Sequence, residues 1–514
     1  MIADSFYRNR RVLLGDLHNH CNISYAHGSL EDALANARMQ LDFASVTGHA
    51  AWPDIGARSM PPEVIAYHRD GFAKLAGRWP EYLDLIAKAN EPGVFTTFFS
   101  YEIHSFAHGD RTVVSPSPPA TPQSDIDAVQ FTQLLRDTDA RRDRRLLLPH
   151  HIGYPTGLRG IDWDSVTDRA SPLVEIISMH GLAERDGTWF PYLHTMGPLD
   201  PRNTMVAGLA AGHHFGVVGS TDHHSAHPGS FGHGRTALWA TDNTREAIWN
   251  AILDRRTYAL SGDRIELAFA INGAPLGSQI EADRTRSVEI DVRAGGRIDR
   301  VELVRNGTVI ERIAPTDDAE LGDRLSGLIV VEIGWGEKGV RTDWDLTVAL
   351  DRGEVRAIEP RLRGHDVVDP LDRGAPDYRF SHWQPVPRGV RLRTRTYGNP
   401  TATTSQTQAL ALNVICPRSA QLTVTGNGTS LTIPIADLVT RVVVHHTAGF
   451  VSAAIKVHRF VSDAERNVSW SADDHNDSKG EQDSYYVRVI QENGHGAWSS
   501  PIWVSHKRER RKGH

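Results

Sequence analysis

The sequence predicts an α/β domain on a parallel sheet or barrel, followed by an antiparallel β-sandwich region, and three observations carry that reading. First, short apolar runs alternate with stretches of helical periodicity over residues 1–263. Second, Val12-Leu13-Leu14, the helical stretch after Ser29 and the run Phe43–Thr47 make a strand–helix–strand unit. Third, over residues 264–514 the helical period fades into alternating β-branched segments broken by turns such as Asn306-Gly307. A chain of 514 residues exceeds what one hydrophobic core supports, which fits this division.

The elements follow in order. Ser29 is placed as an N-cap with Asp32 at the third helical position, and Ala33, Leu34, Ala37 and Leu41 continue at helical spacing. Residues 62–90 repeat apolar points at Ile65, Phe72, Leu75, Leu83 and Ile86, which predicts a long helix. Phe95–Glu102 is a buried strand, then a Pro- and Ser-rich loop over Ser115–Ser124 leads to a helix over about 125–140. Leu146–Pro149, Leu173–Ser178 and Phe215–Ser220 complete the strands of the first half. In the second half Ser287–Val292, Val301–Arg305, Leu328–Glu332, Leu346–Leu350 and Tyr485–Val489 are strands of one or two sandwich units. A basic tail runs from about residue 506.

Composition narrows the partners. The formal net charge of −7 argues against nucleic acid as the main partner. No run approaches the ~20 apolar residues of a membrane span, and Met1–Tyr7 lacks the apolar core of a secretory signal. Cys21 and Cys416 stand too far apart to be a disulfide framework, so a cytoplasmic, reducing location is expected. The 26 histidines are the outlier, and they crowd into the first half.

Their placement points to a metal. In Gly15-Asp16-Leu17-His18-Asn19-His20 the two histidines lie two residues apart at a strand end, so both imidazoles face one side. Six apolar runs end in the same way, in His18/His20, His49, Glu102, His150/His151, His180 and Asp222/His224. Ligands at the ends of parallel strands converge on one mouth. Pro149-His150 favours His150 over His151 as the ligand, and His223 is expected to point away. Asp16 and Glu175 either orient ligands or are solvated strand-edge acids. Arg111 and Arg235 are the candidates for binding a substrate anion, because guanidinium grips phosphate or carboxylate in a fork. His104, His108, His227 and His233 are candidate pocket-lining residues. Trp335, Trp344, Trp498 and Trp503 either fill sandwich cores or offer a sugar-stacking face.

The ordered set His18-Asn19-His20, His27, Thr47-Gly48-His49, Glu102, Pro149-His150, Met179-His180 and Asp222-His223-His224 resembles the motifs of the PHP (polymerase and histidinol phosphatase) superfamily over residues 12–235. The second half, with its closing Ala497–Trp503, resembles that of PHP-like hypothetical proteins. The resemblance implies a distorted (β/α)7 barrel with two or three divalent metals, Mn, Zn or Fe. It further implies that His18, His20, His27, His49, Glu102, His150, His180, Asp222 and His224 are the ligands, with Glu102 bridging. Asp222 and His224 are the expected catalytic residues. One departure stands out: the family pattern Thr-Asp-His is Thr47-Gly48-His49 in this chain, so an acid is missing. The expected activity is hydrolysis of a small anionic phosphate ester by metal-activated water. Hydrolysis of a carboxylic ester, lactone or amide is the alternative, and an inactive metal-binding or glycan- or partner-binding protein the third.

Overall fold

A computed structural model of the chain describes residues 5–192, 198–315, 321–365, 374–375, 377–399, 405–475 and 480–506. The basic tail lies outside them. The fold is mixed α/β, with several sheets and a β-rich second half.

Eleven strands build the first half: β1 (Arg11–Asp16), β2 (Phe43–Ser45), β3 (Gly48–Ala51), β4 (Thr96–Ile103), β5 (Arg111–Ser115), β6 (Leu146–Pro149), β7 (Leu173–Ser178), β8 (Gly181–Leu182), β9 (Gly216–Gly219), β10 (Arg235–Ala240) and β11 (Thr257–Leu260). β1, β2 and β4 are parallel neighbours, as are β7 and β9. The expected regular alternation is interrupted, because β5 runs antiparallel to β4 and β6, and β10 antiparallel to β1 and β11. Leu13, Phe98, Val114, Leu148, Leu173, Val218 and Leu238 fill a shared core with Trp249.

Helices cover the outside. Leu30–Gln40 starts with the full capping box of Ser29 and Asp32, and Ala128–Asp137 with that of Asp127 and Gln130. The long helix Pro62–Ala89 starts on a proline, which needs no amide partner at that position. It buries Phe72, Leu75, Trp79, Tyr82 and Ile86 along one stripe.

The second half contains two β-units. In the first, Glu266–Ile271, Thr285–Arg293 and Asn467–His475 form a sheet that shares its core with Ile298–Arg305, Gln482–Gln491 and Ile502–His506. In the second, an insert over residues 324–462, a six-stranded and a five-stranded sheet enclose their own core of Trp344, Leu346, Leu412, Leu422 and Ile455. The hydrogen bonding crosses the expected boundary at residue 263, because Gly496–Ser499 pairs with β11. A buried ion cluster fastens this junction. Arg488 donates to Glu184 and Glu302, while Tyr486 and Trp498 also donate to Glu184. Trp344 and Trp498 fill cores, Trp503 is buried against His214 and Arg255, and Trp335 is half-buried, so the four form no shared stacking face. No helix among the described residues is long and apolar enough to cross a membrane.

Candidate metal centre

The strand-end residues meet because two loops are laced together. Buried Asp16, at the end of β1, accepts from the amides of His18, Thr221 and Gly229 and from the Thr221 hydroxyl. The Asp222 amide then donates to His18 O and the His20 amide to His223 O, both at 2.8 Å. Asp222 itself sits at φ +52°, a left-handed backbone that non-glycine residues seldom adopt and that is common where function over-determines the chain.

His18 and His20 are fully buried, and their Nε2 atoms lie 3.1 Å apart. His20 Nδ1 donates to Thr47 O at 2.8 Å, so its Nε2 carries a lone pair. His18 Nδ1 faces Glu175 Oε2 at 3.1 Å, which fixes the same tautomer for the neutral ring. Asp222 Oδ1 stands 3.2 Å from His18 Nε2 and 2.9 Å from His20 Nε2, and Glu102 Oε2 lies 3.3 Å from both. Glu102 Oε2 is buried with no hydrogen-bond partner among the described residues. Four acceptor atoms so close repel one another unless a positive charge sits among them. Ligands about 2.1 Å from a common cation are separated by roughly 3.0–3.4 Å, so the donor set fits a divalent metal.

Glu102 also reaches the other way. Its Oε1 is 3.1 Å from His150 Nε2 and 3.0 Å from His104 Nδ1. Burial pushes the Glu102 carboxyl up, but His104, His150 and His49 outweigh it and hold the acid well below its usual range. Asp222 is likewise held well below its range, by His18 and His180 against burial. Burial works against His18 too, yet Asp222 and Glu175 hold it well above an ordinary imidazole. A proton on His18 and a cation among these donors would compete for the same lone pair.

Around this pair the other ligands gather. His20, His49 and His224 form one group able to share an ion, and His49, Glu102 and His104 another. His180 Nε2 stands 2.6 Å from Asp222 Oδ2. Both members of the His150-His151 pair turn inward, because His151 adopts φ +53° and points its Nε2 at Asp222 Oδ2, 3.4 Å away. His27 sits to one side: its amide donates to His224 O, and its ring lies against Gly374.

The two expected anion binders do not face the centre. Arg235 is buried and gives its donors to the carbonyls of Gly229 and Gly262 and to Gln40. Arg111 is also buried and donates to the Asp110 carbonyl. Its strand neighbour Thr112 faces His150 at 3.1 Å, so strand alternation turns Arg111 away. Arg159 supplies a guanidinium instead. Its Nε donates to Asp110 Oδ2 at 2.7 Å, and its Nη2 is 2.8 Å from His104 Nδ1. Sequence reasoning missed Asp110 and Arg159. The antiparallel return of β5 brings residue 110 beside the end of β4, a pairing that no local sequence signal announces. Gly48 leaves no gap where an acid is absent: a Cβ there would lie 2.6 Å from Leu75 Cδ1, so the long helix fills the space.

A model of DUF3604, a family of proteins of unknown function, matches residues 229–290. An uncharacterized protein of Chlamydia pneumoniae is 27% identical over 173 residues, and one of Chlamydia muridarum 26% identical over the same length. Each match takes in 30% of this chain and 28% of the relative, so the chain spans under a third of the length of the curated relatives it matches. Among solved structures, a two-domain protein of Bacteroides vulgatus containing a predicted PHP-like metal-dependent phosphoesterase is similar, with 10% identity and a TM-score of 0.32. That alignment covers 92% of this chain and 97% of the other. The lesion-specific endonuclease PfuEndoQ of Pyrococcus furiosus aligns over 47% of this chain and 56% of its own, with 15% identity and a TM-score of 0.28. Likeness at these scores carries no argument about activity.

Proposed function

We propose that this chain is a metal-dependent hydrolase on a distorted barrel of the (β/α)7 PHP type, acting on a phosphoric ester. The observation that carries this reading is the buried carboxylate Glu102, shared between His18/His20 on one oxygen and His150/His104 on the other. His18, His20, Asp222 and Glu102 would hold one ion. His150 and the other Glu102 oxygen would hold a neighbour, and His49 and His224 would complete the set. Mn, Zn and Fe all suit such mixed donors. When bound, such ions activate water and neutralise charge on the ester oxygens.

The chain's own groups do the rest. Glu175 and the Thr47 carbonyl hold the His18 and His20 rings in position. His180, hydrogen-bonded to Asp222, is placed to pass a proton to the departing oxygen. Arg159, steadied by Asp110, offers the guanidinium for an anionic group. The substrate on this reading is a small anion in the cytoplasm, with neither nucleic acid nor membrane as partner.

A carboxylic ester, lactone or amide is the second reading. It is favoured by Arg111 and Arg235 facing away, and by an apolar wall in which Tyr25 stacks on His49 at 3.6 Å and Trp52 lies 4.9 Å from His104. Metal-loaded protein assayed on aryl phosphate mono- and diesters beside aryl carboxylic esters separates the two. Phosphate release abolished in His18→Ala/Asp222→Ala supports the first reading, and carboxylic-ester cleavage alone promotes the second. A protein that takes up no metal under any condition sinks both.

A further inference from the structure

The first half, the first β-unit and the insert meet around a cavity of about 340 Å³ that none of the candidate metal ligands lines. Leu14 and Gln40 close it on the side of the first half. Strand pairing in the insert sets Leu328, Asn413 and Ala357 side by side as one wall. Strand pairing in the first β-unit sets Glu266 opposite Arg293 as another, and Arg264 and Arg466 complete the polar lining. A second cavity of about 810 Å³ shares Arg264, Glu266 and Arg293 and runs on to Tyr7 and Trp239, so the space extends beyond the polar group.

The lining carries donors that nothing meets. Arg466 is 4% exposed, and it donates from Nε to Asp463 at 2.8 Å and from Nη1 to Ala294 O at 2.9 Å. Its Nη2 is buried with no partner among the described residues. Half-buried Arg293 makes no side-chain hydrogen bond or ion pair among the described residues. Asn413 Oδ1 is buried and unpaired too, and a side-chain amide can present its NH2 in place of its oxygen. Native proteins rarely leave buried polar groups unmet by a ligand or water. The acids of the lining do not supply the missing acceptor. Glu359 accepts from the Arg264 amide at 2.9 Å and from Arg361 at 3.2 Å, and Glu266 stands 4.0 Å from Arg264. Burial pulls the Arg466 guanidinium below its ordinary range against Asp463, and the like charge of Arg293 adds to that pull. An oxyanion between two guanidinium groups relieves both, since each offers a planar fork of donors.

We propose that this junction cavity binds the phosphate or carboxylate group of a small anion between Arg293 and Arg466. The site is separate from the metal centre, and the hydrolase reading plays no part in its assignment. Inorganic phosphate, and malonate in a parallel arm, are titrated calorimetrically into the full-length protein. Saturable binding is expected, weakened at least tenfold in Arg293→Gln and in Ala357→Trp, which fills the cavity from its rim, and partly kept in Arg293→Lys. Arg293 is half-buried and Ala357 exposed, so the fold tolerates these changes, and an unaltered urea midpoint checks it. Tighter phosphate than malonate would assign a phosphate, and the reverse a carboxylate. His18→Ala/Asp222→Ala should bind as the wild type does, whereas binding lost in that variant would move the anion to the metal centre and overturn the junction site. Absence of binding by the wild type, or unchanged affinity in Arg293→Gln and Ala357→Trp, overturns it equally.

Discussion

Glu175 shows how much one residue outside the ligand set decides. Its Oε2, 3.1 Å from His18 Nδ1, turns the His18 ring and fixes which nitrogen faces Glu102 and Asp222. Glu175→Gln keeps the shape but removes the charge that favours a donor on Nδ1. The expected outcome is a loss of metal affinity of roughly 10- to 100-fold, with the fold retained. Competition against a chromophoric chelator measures it, and an unchanged constant would remove Glu175 from the site. The sequence offered Glu175 either as an orienting residue or as a solvated strand-edge acid, and its contact with His18 joins segments 157 residues apart. It could not place Asp110, whose contact with Arg159 depends on a hairpin that the local pattern does not announce.

At the scale of elements, the long helix Pro62–Ala89 shapes the site without a ligand. Leu75 packs where a side chain at position 48 would stand, and Gly71 admits Tyr25, since a Cβ there would lie 2.4 Å from Tyr25 Cδ1. A glycine within a helix costs about 1 kcal/mol in propensity, so close packing on Tyr25 is its compensation. Tyr25 in turn stacks on His49 and hydrogen-bonds His104 at 2.8 Å. Gly48→Asp, which restores the family pattern, should therefore destabilise by about 1–3 kcal/mol through overpacking and should not raise metal affinity. Gly48→Asp with Leu75→Ala should be less than additive, because the two changes share one space. Urea unfolding of the two single variants and the double variant tests this, and strict additivity would show that helix and strand do not compete for that volume.

Over the whole molecule, buried imidazoles couple stability to pH. Burial pushes His68 and His227 down to about 3, and they are 5% and 1% exposed. An unfolded histidine titrates near ~6.5, so below that value the unfolded chain binds protons that the folded chain refuses. Their contribution is complete above pH ~6.5 and is lost as pH falls toward about 3, by roughly 3 kcal/mol per pH unit for the pair. Urea midpoints at pH 7, 6 and 5 should drop accordingly, and His68→Leu should flatten the slope. A midpoint indifferent to pH over this range would show that these rings are hydrated or charged in the folded protein.

The sequence by itself determined the residue types and their order. Histidines and acids at the ends of apolar runs, the long helix, the first capping box and the change to β-texture near residue 263 are local patterns, set by period and side-chain chemistry. Tertiary structure decided which of these groups meet. Left-handed backbone at His151 and Asp222 aims both side chains inward, while strand alternation turns buried Arg111 away from the centre. The return of Gly496–Ser499 to β11, and the seating of Gly364 on His223 and His227, join residues hundreds apart. No window of sequence contains such pairings, because their energy comes from packing and hydrogen bonding between segments that are adjacent only in space.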